Sequence, residues 1–403
     1  LAQSGHSGGP QVLRLLNCAA VLRAIRATGS ARVTELVEAT GLSRPTVTAA
    51  VTTLITDGWV EETEDRTKDT PRMGRPARVL RFRDNAQHVL GIDVGPHKVY
   101  CAVADFNGAV VTHVRRDVPS MISHSELLEH VKRTIELALN EASVSPTSLA
   151  AVGVGSPGIV DEHRGAIVQA PSVPGWNSLE LAHWLRQSID CPVHIENDVN
   201  LAIMAEQWNG AGSATDNLVL VQWGARVGAA VVVQGRLHRG AHGAAGEIGF
   251  VDLDSEPQGV QPDGLGPLEA RIGTAAIIDR ARRLGDITSP DAVTVLAAAA
   301  AGDALALKVL DDVCAQFARG FAPFLAAIDP ELVILGGVIT LAGDAVLAGV
   351  HRHLGQRALA VPRLELSALG DDAVALGAVR LAAADAEQRL LDSYMSADGL
   401  SRA

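Results

Sequence analysis

The sequence predicts an α/β protein: a small winged helix-turn-helix in front of a larger body of two α/β lobes with a cleft between them. Three observations carry that prediction. The first 86 residues show helical apolar spacing followed by two short β-type runs. After Gln87 successive strands end in glycine turns, and the later part of the chain is helical. Strands and helices in that order, with Gly turns at strand ends, imply layered lobes.

Composition sets the outer limits. At 403 residues, two or three domains are expected. Hydrophobic residues make up 47% but aromatics only 3%, so Ala, Val, Leu and Ile must fill the cores. Cys18, Cys101, Cys191 and Cys314 lie far apart with no C-x-x-C pair, which argues against a zinc ribbon, a redox dithiol or a disulfide framework. No leader and no membrane-spanning apolar run is read, so a cytoplasmic protein without membrane attachment is expected. The net charge of −12 is uneven: residues 10–87 hold 12 Lys+Arg against 9 Asp+Glu, and the rest holds 22 against 37. Seven positive side chains and one negative, Asp69, lie between Arg66 and Arg83. A basic front on an acidic body suits a front that meets phosphate, although a solvated basic linker gives the same count.

Val12, Leu15, Leu16, Ala19, Leu22 and Ile25 mark a first helix from Val12 to Arg26, ended by Thr28-Gly29-Ser30. A second helix is expected from Val33 to Ala39, with Leu36 and Val37 inward. Gly41 supplies the positive φ of the turn, Ser43 is a good N-cap, and Pro45 fits a first helical turn where an N–H is not needed. Val47, Val51, Leu54 and Ile55 are expected to face the core. Two helices joined by a short Gly turn read as a helix-turn-helix, whose second helix enters the major groove N-terminus first. Ser43, Arg44, Pro45, Thr46 and Thr48 are therefore the expected DNA contacts. Trp59–Glu61 and Val79–Phe82 read as the strands of a wing, with Arg72 and Arg75 at a Gly-Arg-Pro tip suited to a minor groove or phosphate. A helical protein-interaction domain is the plainer alternative.

In the body, strands are expected from Val89, Lys98 and Val110, a helix from Ser125 to Ala142, and a strand from Leu149 to Val154. Gly153–Gly158 matches G-x-G-x-x-G after a strand, but a hairpin around His163–Gly165 follows where a dinucleotide site requires a helix. Strand Val193–Glu196 runs into Asn197-Asp198 and a helix from Val199 to Trp208. That pair could bind hydroxyls, the Asp could take a proton, or either residue could simply cap the helix. Gly224–Gly228 is a Gly turn between strands and a candidate phosphate loop; Glu247 and Glu269 add further acids.

Taken together, these residues resemble the ROK family of repressors and sugar kinases over nearly the whole chain. The pieces are Gly41–Thr48, Gly74–Pro76, Asp93–Gly95, Gly155–Gly158, Pro174–Trp176, Glu196–Asn200, Gly246–Gly249, Gly266–Glu269 and Leu335–Gly337. Each is weak alone; their order and spacing are specific. The resemblance implies an actin-like, hexokinase-like body, with boundaries at 1–86 for the head, 87–198 for the first lobe and 199–371 for the second. The C-terminal helix, 372–403, would complete the first lobe. It also implies that Asn197, Asp198, Glu247 and Glu269 bind a sugar, Asp198 matching the kinases' base.

The departures from the family direct the functional reading. The kinases' Asp-x-Gly-Gly-Thr-Lys loop is here Asp93-Val-Gly-Pro-His-Lys98: Pro96 removes an N–H and the Thr hydroxyl is gone. Their Gly-Thr-Gly core is replaced by Gly224-Ala-Arg226, which places a long side chain where backbone must approach phosphate. ATP is not expected, and Asp198 alone would not transfer phosphate, so no enzyme is expected. Phe250, Val260, Pro262 and Pro267 stand at the family's zinc-ligand positions, so no cofactor or metal is expected, and Phe250 could instead stack on a sugar face. The expected protein is a DNA-binding repressor of sugar-metabolism genes. It would be a homodimer or homotetramer on an inverted-repeat operator, controlled by a small-molecule sugar effector. Two alternatives stay open: an active sugar kinase with an accessory head, and a regulator whose Arg226 reads a phosphorylated sugar.

Overall fold

A computed structural model describes residues 10–64, 78–119, 123–170, 173, 175–254, 259–261, 264–285 and 291–394. The head consists of α1 (Pro10–Thr28), β1 (Ser30–Ala31), α2 (Val33–Thr40), α3 (Arg44–Thr56), β2 (Val60–Glu64) and β3 (Arg78–Phe82). Its strands pair antiparallel in the order β1-β3-β2. Gly41 caps α2 with φ 69°, and Ser43 Oγ accepts from the Thr46 N–H at 3.3 Å, so the turn and cap form as the residue types demand. Leu22, Ile25, Leu36, Val47 and Leu54 are buried together. Leu16 and Ile55 are not: they are 45% and 38% exposed. The inward line of α3 passes through Val47, Ala50, Val51 and Leu54 instead, which corrects the expectation for Ile55. Arg72 and Arg75 lie outside the described residues.

The body holds two five-stranded sheets of the same topology. The first uses β4 (His88–Val94), β5 (Lys98–Asp105), β6 (Val110–Asp117), β7 (Leu149–Ser156) and β10 (Val193–Asn197), ordered β10-β7-β4-β5-β6. Between β7 and β10 lies the expected hairpin, β8 (Ile159–Asp161) and β9 (Ala166–Gln169). The second sheet uses β11 (Leu218–Trp223), β12 (Val227–Val233), β13 (Arg236–Leu237), β14 (Leu332–Gly336) and β15 (Arg363–Leu366), ordered β13-β12-β11-β14-β15. In both sheets the first three strands are antiparallel and the last two run parallel to the first. The central strands are covered on both faces, so they read as near-continuous apolar runs. One face of the first sheet packs on α4 (His124–Ala142) and α5 (Leu181–Arg186). The corresponding face of the second packs on helices between α7 (Glu269–Ile272) and α11 (Asp344–Leu354). Among these are α8 (Thr274–Leu284), α9 (Ala292–Ala300) and α10 (Ala304–Ile328).

The other faces are covered crosswise. Helix α6 (Asp198–Asn209) follows the last strand of the first sheet, yet its Ala202 and Ile203 pack on Leu218, Leu220 and Val232 of the second. Helix α12 (Ala373–Ser393) follows the last strand of the second sheet, yet its Ala375, Val379 and Ala382 pack on Val89, Ala102 and Ala151 of the first. The two helices cross at backbone distance. A Cβ on Gly377 would stand 2.0 Å from the Leu201 carbonyl oxygen, and one on Gly153 of β7 would stand 2.1 Å from that of Ala378.

The head is docked on this body. Trp59, Phe82 and Phe106 cluster with centroids 5.1–6.1 Å apart, and the Arg26 guanidinium lies 5.2 Å from the Phe82 ring and 5.4 Å from Phe106. Arg26 also pairs with Glu387 of α12 at 2.7 Å. At the far end of α12, the Tyr394 hydroxyl donates to Asp57, the C-cap of α3, at 2.7 Å. Burying each Phe contributes about 1.5–3 kcal/mol, against about 0.5–1.5 kcal/mol for a single polar contact, so the aromatic cluster carries most of the docking.

Among the described residues no single helix is long and apolar enough to cross a membrane. The α6–α12 crossing yields a stability prediction. Gly377→Ala puts a methyl group against rigid backbone and should destabilise the body by about 3 kcal/mol, read as a lowered urea midpoint at unchanged slope.

Candidate functional site

The cleft between the lobes contains an open cavity of about 560 Å³. Its wall takes Gly158 and Asn197 from the first lobe and Asp198 and Val199 from the start of α6. From the second lobe come Gln222, Arg226, Gly228, Glu247, Phe250 and Glu269. The three acids and one amide that the resemblance assigns to a sugar thus stand around one space, although they come from three separate stretches of chain. A small set of polar groups converging on one concave space is what a small-molecule site requires.

The four are not equivalent. Asn197 is the N-cap of α6: its Oδ1 accepts from the N–H groups of Val199 (2.9 Å) and Asn200 (3.1 Å), and its Nδ2 donates to the Gly158 carbonyl at 2.9 Å. Capping by Asn197 and cavity exposure of Asp198 therefore coexist, and the sequence alternatives resolve onto two neighbouring residues. Glu269 is buried, with Oε1 accepting from the Val227 N–H and Oε2 from the Gly266 N–H, both at 2.8 Å. Arg226 adds a contact to Glu269 Oε2 at 3.4 Å. Much of the Glu269 acceptor capacity is thus used in holding the cavity wall.

Asp198 and Glu247 differ from Glu269: among the described residues no Lys or Arg forms an ion pair with either. Burial raises the Asp198 pKa to about 7, with the charge of Asp93 adding to the effect. Burial also raises that of Glu247, reinforced by Glu269. Both are carboxylates whose ionised forms are disfavoured by burial, so a ligand bringing hydroxyl donors would stabilise them.

The Arg226 guanidinium donates to the Gly264 carbonyl at 2.5 Å and forms part of the cavity wall. The Asp93 carboxylate is buried and pairs with Lys98 at 3.0 Å, and the Gly95 N–H is spent on the Lys98 carbonyl at 2.9 Å. The Gly224 N–H is likewise spent on the Arg226 carbonyl at 2.9 Å. Phe250 is 38% exposed beside the carboxylates; Val260 is exposed, Pro267 is buried, and Pro262 lies outside the described residues. In the head, Ser43, Arg44, Pro45 and Thr48 are exposed and Thr46 half-buried at the start of α3. Gly158 and Gly228 belong to glycine turns singled out in the sequence, whereas Gln222 joins the wall unannounced by any sequence signal.

The family model described as "ROK family" matches residues 89–385, about three-quarters of the chain. The chain belongs to the ROK family. A MarR family model matches residues 15–68 of the head of this ROK protein. It is similar to a putative xylose repressor of Caldicellulosiruptor sp. (strain Rt8B.4), 24% identical over 94% of this chain and 98% of the relative. It is also similar to a glucokinase of Halalkalibacterium halodurans, 28% identical over 72% of this chain and 92% of that one. Among solved structures, a ROK family transcriptional regulator described as a homolog of the E. coli MLC protein superposes with a TM-score of 0.76. At 23% identity it covers 95% of this chain and 99% of its own, a likeness of fold.

The raised pKa of Asp198 has a testable sign. Between the unfolded value near 3.8 and the folded value of about 7, the folded protein holds a proton that the unfolded chain has lost. This group's contribution therefore weakens stability as pH rises through that window. Asp198→Asn should raise the ligand-free Tm by about 1–3 °C at pH 8 and by less at pH 5, measured by differential scanning fluorimetry.

Proposed function

We propose that this ROK protein is a sugar-responsive DNA-binding transcriptional repressor that performs no phosphoryl transfer. The observation that carries the reading is the pairing of an outward-facing helix-turn-helix with a cavity that keeps its hydroxyl-accepting acids. Similarity to the putative xylose repressor supports it, because that match runs through head and body alike; the glucokinase match covers 72% of the chain. Two copies would set their α3 helices in successive major grooves of an inverted-repeat operator, as a homodimer or within a homotetramer. The loss of an N–H at Pro96, and glycine N–H groups spent on closing their own turns, support a body without ATP. Phe250, Val260 and Pro267 offer no lone pair to zinc, so the donor set does not fit that metal.

The fold supplies a route for the signal. Asp198 opens α6, α6 is locked on α12, and α12 reaches the α3 C-cap through Tyr394 and Asp57. A sugar that binds one lobe arrangement better than another would shift the head through this chain of contacts by its differential affinity alone.

The competing reading is a sugar kinase with an accessory head, favoured by the glucokinase relatives and by the retained Asp198. Fluorescence anisotropy of an operator fragment should show affinity that falls with salt, is lost in Arg44→Ala, and drops about tenfold or more with one sugar of a panel. Asp198→Asn and Glu247→Gln should keep operator binding and lose the sugar response. In a coupled ADP-release assay no sugar should turn over; turnover abolished by Asp198→Asn would establish the kinase instead.

A further inference from the structure

Glu196 precedes the Asn197–Asp198 pair but is not part of the cavity wall, and only 3% of it is exposed. Its Oε1 accepts from the Asn197 N–H and from Asn200 Nδ2, each at 2.9 Å. A buried carboxylate held only by neutral donors is poorly compensated. The missing charge comes from the other lobe: Arg239 Nε donates to Glu196 Oε2 at 2.6 Å and also pairs with Glu162, in the β8–β9 turn, at 2.9 Å.

Arg239 lies in the stretch from β13 to Glu247, which is fixed to the second lobe. The Ala229 N–H of β12 donates to the Gly246 carbonyl at 2.7 Å, and a Cβ on Gly246 would meet the Ala229 carbonyl oxygen at 1.9 Å. The same stretch leans on the first lobe: a Cβ on Gly243 would stand 2.8 Å from the Val160 carbonyl oxygen of β8. Eight residues after Arg239 it delivers Glu247 to the cavity.

We propose that Arg239 is a positioning residue: it latches the second lobe onto the first through Glu196 and Glu162, and so sets Glu247 opposite Asn197 and Asp198. Opening the cleft withdraws the guanidinium and strands a buried negative charge, so the closed arrangement is favoured before any ligand binds. The consequence for a sugar rests on the function proposed above; the latch itself does not.

The test uses the full chain with spin labels on Glu141→Cys in the first lobe and Leu359→Cys in the second, both exposed positions, in a Cys191→Ser background. Without ligand, dipolar spectroscopy should give one narrow interlobe distance for the parent and for Arg239→Lys, which keeps a cation beside Glu196. The Arg239→Met/Glu196→Gln pair removes the latch without leaving a lone buried charge, and should give a longer, broader distribution. A double-variant distribution superimposable on the parent's would overturn the proposal, whatever the ligand results. On any sugar the parent binds, the double variant should bind roughly tenfold more weakly, as expected if about a tenth of the molecules remain closed, and Arg239→Lys should recover most of the loss. A parent that binds no sugar but shows the distance change would count against the proposed function and leave the latch standing.

Discussion

The crossing of α6 and α12 is the contact on which the rest of the body depends. Each helix leaves one lobe and covers the sheet of the other, and they meet where Gly377 lies against the Leu201 carbonyl. Such an approach admits no side chain, so glycine there is a steric requirement. The crossing fixes the direction of the α6 N-terminus, hence where Asn197 and Asp198 face. It also fixes the line along which α12 runs, about 31 Å for its 21 residues, to the underside of the head.

Around this frame the electrostatics divide by task. Carboxylates that hold structure are given donors: Glu269 has two backbone N–H groups and Arg226, and Glu196 has Arg239. Asp198 and Glu247, which face the cavity, are denied a cation and titrate high. That contrast marks a site by where the protein tolerates unfavourable charge, a pattern in which stability is given up for ligand contact.

Much of the fold was legible because its signals are local. The Ser43 cap, Gly41 and Pro45 identify the start of α3 from adjacent residues, and the near-continuous apolar runs of β4 and β5 report a sheet covered on both faces. Ile55 misled because it is apolar but sits at the edge of the inward stripe, which is centred on Val47, Val51 and Leu54 and extends on its other side to Ala50. The swapped helices carry no such signal: α12 is Ala-rich and apolar on several sides, so its sequence does not say which sheet it serves. In the site, residue types named the acids, but only geometry separates the capping Asn197 from the cavity-facing Asp198. The direction of Arg226 depends on a carbonyl 38 residues away, and the Arg239–Glu196 pair spans 43 residues, distances over which no local pattern operates.

The crosswise helices also mean that neither lobe is a self-contained piece of chain. A fragment cut at the end of β10 would expose the sheet face that α12 shields, and one beginning at β11 would lack the cover that α6 provides. The body must therefore be acquired, lost or transplanted whole, and during synthesis the first sheet waits, half-clothed, until α12 has left the ribosome.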